Sequence, residues 1–120
     1  MYEISTPLLY APRTLKMAIR EEFMPNVLLG YSLAIKEGVW GKELDCFYEL
    51  GARESGWNHK ATNKITGAYG IPQSLPASKM LVYGSIYDPE VQIKWFINYI
   101  QTRYMTPCNA LEFQKLMNWY

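Results

Sequence analysis

Apolar residues recur every three or four positions in several stretches of the chain, which is the spacing of an α-helix with one buried face. The first stretch predicts a helix that starts near Thr14. Pro25 interrupts that helix, because a proline ring cannot continue it without a clash and a lost hydrogen bond. Asn26 is placed to cap a second helix, which Gly38 ends.

A third helix is predicted over residues 41–53. Its apolar face consists of Leu44, Phe47, Tyr48 and Gly51. Gly56 supplies a stop just past the end of this helix. Glu54 therefore lies at the carboxyl end of a core helix, where the helix dipole favours cations over carboxylates. This position favours a protonated carboxyl group.

Residues 57–76 contain glycine, proline and asparagine where a helix would have helix formers, and they predict an irregular loop or a short hairpin. Asp88 followed by Pro89 predicts a helix start, and this helix is expected to reach about Tyr104. Pro107 opens a last short helix. Four residues of the helix after Asp88 are expected in the core because of their spacing: Trp95, Phe96, Tyr99 and Ile100. The pattern as a whole predicts a mainly α protein.

The composition narrows the possible functions. The 120 residues fit one compact domain, and a net charge of +1 argues against electrostatically driven nucleic-acid binding. No apolar run approaches the roughly 20 residues of a membrane span. With one histidine, no CxxC pair and no Gly-rich phosphate loop, the sequence predicts neither a metal site nor a cofactor.

Two features bear on the cellular compartment. Residues 1–12 contain Glu3 and lack a basic start with a long apolar core, so they do not form a secretion signal. The chain is therefore expected to be made without such a signal or to be a domain of a longer protein. Its two cysteines, Cys46 and Cys108, could form a disulfide or remain buried thiols, and the residues alone leave this open.

The predicted loop carries an ordered set of motifs. Arg-Glu-Ser-Gly-Trp-Asn at 53–58 is followed by Ala-Thr-Asn at 61–63, Gly-Ala-Tyr-Gly-Ile-Pro-Gln at 67–73 and Leu-Pro-Ala-Ser-Lys-Met at 75–80. This order resembles the soluble lytic transglycosylases of the lysozyme superfamily, in the branch found in actinobacterial cell-wall proteins and phage tail proteins. The resemblance covers about residues 40–120. It implies a lysozyme-like fold with a Gly-rich loop beside the catalytic helix.

The resemblance also implies a mechanism. Lytic transglycosylases cleave the β-1,4 bond between N-acetylmuramic acid and N-acetylglucosamine with one glutamate, and Glu54 matches that residue. A glycosidase with two carboxylates needs a partner acid within about 10 Å. Asp45 lies about 13 Å away along the same helix, and Asp88 is expected to cap another helix. This scarcity favours the single-glutamate reaction, with Glu90 and Glu112 as distant alternatives.

The family pattern assigns further roles around Glu54. Ser55 is expected to bind the catalytic carboxyl or a sugar acetamido group, and Gln73 to line the cleft and contact substrate. Tyr69 either stacks on a sugar or packs, and the terminal Tyr120 is expected to return to the cleft as a substrate contact. Four aromatic residues are candidate walls that would raise the pKa of Glu54 by burial: Trp57, Tyr69, Trp119 and Tyr120.

Cys46 and Cys108 match cysteine positions of the family, and the resemblance favours a disulfide between them. Residues 1–39 match the family poorly. They are expected to supply a helical segment that packs on the catalytic domain of residues 40–120, in one compact unit. A docking segment for a virion or a larger protein is the alternative for this region.

The sequence therefore predicts a peptidoglycan lytic transglycosylase that acts on the bacterial cell wall without a cofactor or a metal. Its expected partners are peptidoglycan glycan strands and phage virion or tail proteins, with no nucleic acid and no membrane span. The expected setting is a phage virion, release during phage lysis, or a longer exported protein. Two alternatives remain: a muramidase on the same fold, and a catalytically silent module that binds cell wall or builds a virion.

Overall fold

A computed structural model describes residues 19–118 of the chain. This part of the chain is mainly helical, as the apolar spacing predicts, and its only β-interactions are two isolated bridges in the central loop. The helices are α1 (Met24–Lys36), α2 (Lys42–Ser55), α3 (Pro89–Tyr104) and α4 (Pro107–Met117), with 3-10 helices η1 (Glu21–Phe23) and η2 (Ala77–Tyr83). The predicted Trp119 and Tyr120 contacts lie outside the described residues.

Local sequence signals set most of the helix ends. The Asp88 side chain accepts a hydrogen bond from the backbone N–H of Glu90 at 2.9 Å, and this confirms the predicted cap of α3. Thr106 caps α4 in the same way, with Pro107 in the first turn. α2 ends at Gly56, which adopts a left-handed conformation, with φ at 64°.

The start of α1 corrects two predictions. Pro25 lies in the first turn of α1 and begins the helix, because the first-turn N–H that proline lacks has no helical partner anyway. The residues just before it form only η1, and the rest of the expected helix from Thr14 lies outside the described residues. Asn26 does not cap a helix. It lies inside α1, and its side-chain amide donates a hydrogen bond to the Trp57 carbonyl at 2.9 Å.

The four α-helices surround one apolar core. α1 packs against α2 and α3, and α2 packs most extensively against α4. Fully buried side chains of this core include Phe47, Leu50, Trp57, Ile93, Phe96 and Ile100. Phe23, Val27 and Ala34 join the same core, so this part of residues 19–39 packs against the rest of the described chain.

A disulfide joins Cys46 of α2 to Cys108 of α4 across 62 residues of sequence. It reinforces the packing between these two helices. No helix among residues 19–118 combines the length and the apolar character needed to cross a bilayer.

Candidate active site

Glu54 lies on the last turn of α2, where the helix gives way to the central loop. Its carboxyl group lines an open cleft of about 480 Å³. Burial raises the pKa of Glu54 from 4.5 to about 7, since desolvation disfavours the charged form. A carboxyl group with such a pKa holds its proton near neutral pH and can donate it to a bound molecule.

The cleft is built from four parts of the chain: the end of α2, the central loop with η2, one face of α3, and the residue that follows α4. Besides Glu54, it is lined by Asn63, Ala68, Pro72, Gln73, Leu75, Lys79, Trp95, Tyr99, Arg103 and Asn118. Glu54 is the one acidic residue among the described residues that line the cleft.

Three other acidic residues lie outside the cleft. Glu49 pairs with Arg53 at 2.9 Å and lies 3.9 Å from the amine of Lys115. This pair holds the Arg53 side chain on Glu49, and burial remains the cause of the raised pKa of Glu54. Glu90 pairs with Lys94 at 3.0 Å and lines a different cavity, and Glu112 is exposed on α4.

The central loop is anchored to α3 by Gln92, whose side chain is fully buried. Its amide oxygen accepts a hydrogen bond from the Ile71 N–H at 2.8 Å, and its amide nitrogen donates to the carbonyls of His59 and Ile86. Gly70 has a φ of 79°, and a Cβ there would collide with the Gln92 amide. Gly70 is therefore required for both conformation and space.

Ser55 and Tyr69 do not line the cleft. The Ser55 hydroxyl donates a hydrogen bond to the Ile71 carbonyl at 2.7 Å, so it ties the end of α2 to the loop. Tyr69 forms bridges within the loop and packs edge-on against Tyr87, with 5.8 Å between ring centroids. The structure gives both residues a role in shaping the loop.

Gln73 lines the cleft. Its amide nitrogen donates hydrogen bonds to the carbonyls of Ala61 and Gly70, at 3.1 and 3.0 Å. Its backbone is left-handed, with φ at 55°, a conformation uncommon outside glycine. These contacts fix the Gln73 amide group, and its carbonyl oxygen can serve as an acceptor in the cleft.

The aromatic residues around the site correct two predictions. Trp57 is not a cleft wall: it is fully buried, packs edge-on against Phe47, and donates its indole N–H to the Tyr48 carbonyl at 2.9 Å. Of the four α3 residues expected in the core, Phe96 and Ile100 are buried there. Trp95 and Tyr99 instead line the cleft, because they lie on the adjacent face of α3.

Trp95 and Tyr99 are stacked, with ring centroids 4.9 Å apart and an interplanar angle of 17°. The guanidinium carbon of Arg103 lies 5.7 Å from the centroid of the Tyr99 ring. The three residues are spaced four apart and form a row along one face of α3. That spacing is visible in the sequence, and Asn63 and Lys79 belong to the motifs at 61–63 and 75–80, whereas the contribution of Asn118 to the cleft had no comparable signal.

Among residues 19–118, no three histidine, cysteine or acidic side chains come together in a way that could hold a metal ion. In comparisons with known proteins, the chain matches no family model, no curated protein and no solved structure.

Proposed function

We propose that this protein is a lysozyme-like enzyme that cleaves the β-1,4 bond between N-acetylmuramic acid and N-acetylglucosamine in peptidoglycan, by a lytic transglycosylase reaction. One observation carries the proposal: Glu54, with a pKa of about 7, lies in an open cleft as the one acid among the described lining residues. The motif order at residues 53–80 supports the same assignment.

In this reaction, Glu54 acts first as an acid and then as a base. Its carboxyl group donates a proton to the glycosidic oxygen, and the bond from that oxygen to C1 of the muramic acid breaks. The resulting carboxylate removes the proton of the 6-hydroxyl of the same sugar, and the oxygen bonds to C1. The products are a 1,6-anhydro sugar and a free 4-hydroxyl, and Glu54 regains its proton. A pKa near 7 suits a group that must do both.

The shape of the cleft supports a glycan substrate. Trp95 and Tyr99 offer aromatic surface beside Glu54, and flat aromatic surface suits the apolar faces of sugar rings. Asn63, Gln73 and Asn118 add amide groups that can hydrogen-bond hydroxyl and acetamido groups. A cleft of about 480 Å³ that is open to solvent can accept part of a long polymer.

The disulfide supports a working place outside the reducing cytosol, since such bonds persist in oxidising compartments. We propose that the protein acts on the bacterial cell wall, either from a phage virion or after release or export, with virion or tail proteins as partners.

The test is mass spectrometry of the soluble products from purified peptidoglycan, for the wild type, Glu54→Gln and Glu112→Gln. Glu112 is an exposed acid of α4 outside the cleft, so its variant matches the chemical change without touching the site. Anhydro-muropeptides are expected from the wild type and Glu112→Gln, and none from Glu54→Gln.

Other products would contradict the proposal in distinct ways. Products with a reducing muramic acid, heavier by one water, would show a muramidase on the same site. Retained wall binding without products from any of the proteins would show a silent binding or structural module.

A further inference from the structure

Two cations share the cleft with Glu54. Lys79 of η2 and Arg103 of the last turn of α3 both line it, and Glu54 is the third charged residue among the described lining side chains. When Glu54 holds its proton, these lining residues therefore carry two positive charges and no negative one. Such a lining attracts an anionic group.

Neither Lys79 nor Arg103 forms an ion pair with the Glu54 carboxyl group. The raised pKa of Glu54 has burial as its cause, whereas a cation in contact with the carboxyl would lower that pKa. Neither Lys79 nor Arg103 forms an ion pair with an acid among residues 19–118. The Arg103 side chain also interacts with the Tyr104 hydroxyl, which is a neutral group. Neither positive charge is therefore neutralised by an acid among residues 19–118, and both can attract an anionic group in the cleft.

The two residues come from elements that pack on each other. η2 contacts α3, so Lys79 and Arg103 belong to neighbouring walls. The position of Arg103 over the Tyr99 ring places its guanidinium at the end of the aromatic row. A guanidinium group presents parallel N–H donors that match both oxygens of a carboxylate.

We propose that Lys79 and Arg103 bind a carboxylate on the substrate, so that the protein selects glycan strands whose attached peptides carry free carboxylates. This inference rests on the proposed function and names its preferred substrate. The N-acetylated sugars are uncharged where the muramic acid carboxyl is joined to a peptide through an amide bond. The free carboxylates of such a strand therefore belong to its peptides. A phosphate on the 6-hydroxyl is a poorer candidate, because it would block the oxygen that the reaction uses.

A purely structural role for Arg103 makes a different prediction. A cation at the carboxyl end of a helix, over an aromatic ring, stabilises the helix by itself. Its removal would then lower the melting temperature and leave the choice between substrates unchanged.

The experiment compares two soluble preparations of the same peptidoglycan strands, one with free peptide carboxylates and one with those carboxylates converted to amides. KM and kcat are measured for the wild type, Lys79→Gln, Arg103→Gln and the double variant. Lys42→Gln is the control, because Lys42 is exposed at the far end of α2, about 18 Å along the helix from Glu54. Binding of both preparations is measured in parallel by fluorescence anisotropy, in the Glu54→Gln background.

The double variant is expected to raise KM about tenfold on carboxylate strands, with little change in kcat, because two charge-assisted contacts are lost. For the wild type, KM on amidated strands is expected to be about tenfold higher than KM on carboxylate strands. On amidated strands, the variants are expected to have the same KM as the wild type. Equal losses on both preparations, or an equal loss in Lys42→Gln, would overturn the inference. Because binding is read without cleavage, a carboxylate preference without any products would refute the proposed function and leave the carboxylate site standing.

Discussion

The indole ring of Trp57 lies directly against Gly51, in a space that a Cβ on residue 51 would occupy. Gly51 is three residues before Glu54 on α2, and Trp57 is three residues after it. The chain therefore folds back on the end of its own helix, and the indole N–H closes the turn on the Tyr48 carbonyl. Glu54 is held on the last helical turn before the reversal at Gly56, between the two residues of this contact.

The contact between Gly51 and Trp57 predicts that Gly51→Ala destabilises the protein. Alanine is the better helix former by about 1 kcal/mol, but its methyl group must displace a fully buried indole ring. We expect a net loss of about 1–3 kcal/mol in the free energy of unfolding, as for other overpacked cores. Urea denaturation measures it. The loss should shrink when Trp57→Phe is added, and an unchanged loss in that background would contradict the clash.

The pKa of Glu54 predicts the pH dependence of the reaction. The group must be protonated to donate, so kcat/KM should be constant well below pH 7 and fall with rising pH through about 7. The decline should approach tenfold per pH unit above the pKa. Initial rates between pH 5 and 9 on one peptidoglycan preparation measure this profile. A rate that rises through pH 7 would show that Glu54 works as a carboxylate in the limiting step.

The same group predicts a pH-dependent stability. A carboxyl with a pKa of 4.5 when unfolded and about 7 when folded binds more protons in the folded state between these values. The stability of the wild type should therefore fall as pH rises from 4.5 to 7. Glu54→Gln lacks this loss, so it should gain about 2–3 kcal/mol relative to wild type between pH 4.5 and 8.5. Thermal denaturation of both proteins across this range tests the prediction, and parallel curves would contradict it.

The aromatic row on α3 predicts a substrate-binding role for Trp95. Trp95→Leu should raise KM several-fold and change the free energy of unfolding by less than about 1 kcal/mol, because the side chain is only half-buried at the cleft surface. Trp40→Leu is the matched control, since Trp40 is exposed and lies outside the cleft. Equal effects of the two substitutions on KM would argue against a substrate-binding role for Trp95.

The disulfide predicts a large contribution to stability. Its 62-residue separation corresponds to about 4 kcal/mol in the chain-entropy model, which the Cys46→Ser/Cys108→Ser double variant should lose. In urea denaturation, a reductant should lower the midpoint of the wild type to about that of the double variant. The midpoint of the double variant should not change with reductant. A midpoint that is insensitive to reductant would show that the bond adds little.

Several features of the site were predictable because they depend on neighbours in sequence. The Asp88 cap and the left-handed stop at Gly56 each satisfy backbone groups within one helical turn. The proline at the start of α4 removes an N–H that would have no helical partner. The placement of Glu54 at a helix end followed from the stop at Gly56. Pro25 was the exception, because the same residue can interrupt a helix or begin one, and residues beyond the first turn decide which.

By itself, the sequence determined α2, α3, α4 and the irregular loop, since apolar spacing and capping act over a few residues. The candidate acid Glu54 followed from the resemblance of the motifs at residues 53–80 to a known family. Tertiary packing decided which aromatic side chains face the cleft and which the core: Trp57 turned inward because Gly30 and Gly51 leave room for its ring. Packing also brought Lys79 and Arg103 into the cleft of Glu54 and supplied the burial that raises its pKa. Burial and the meeting of distant charges depend on contacts between elements far apart in the chain, which a local pattern does not encode.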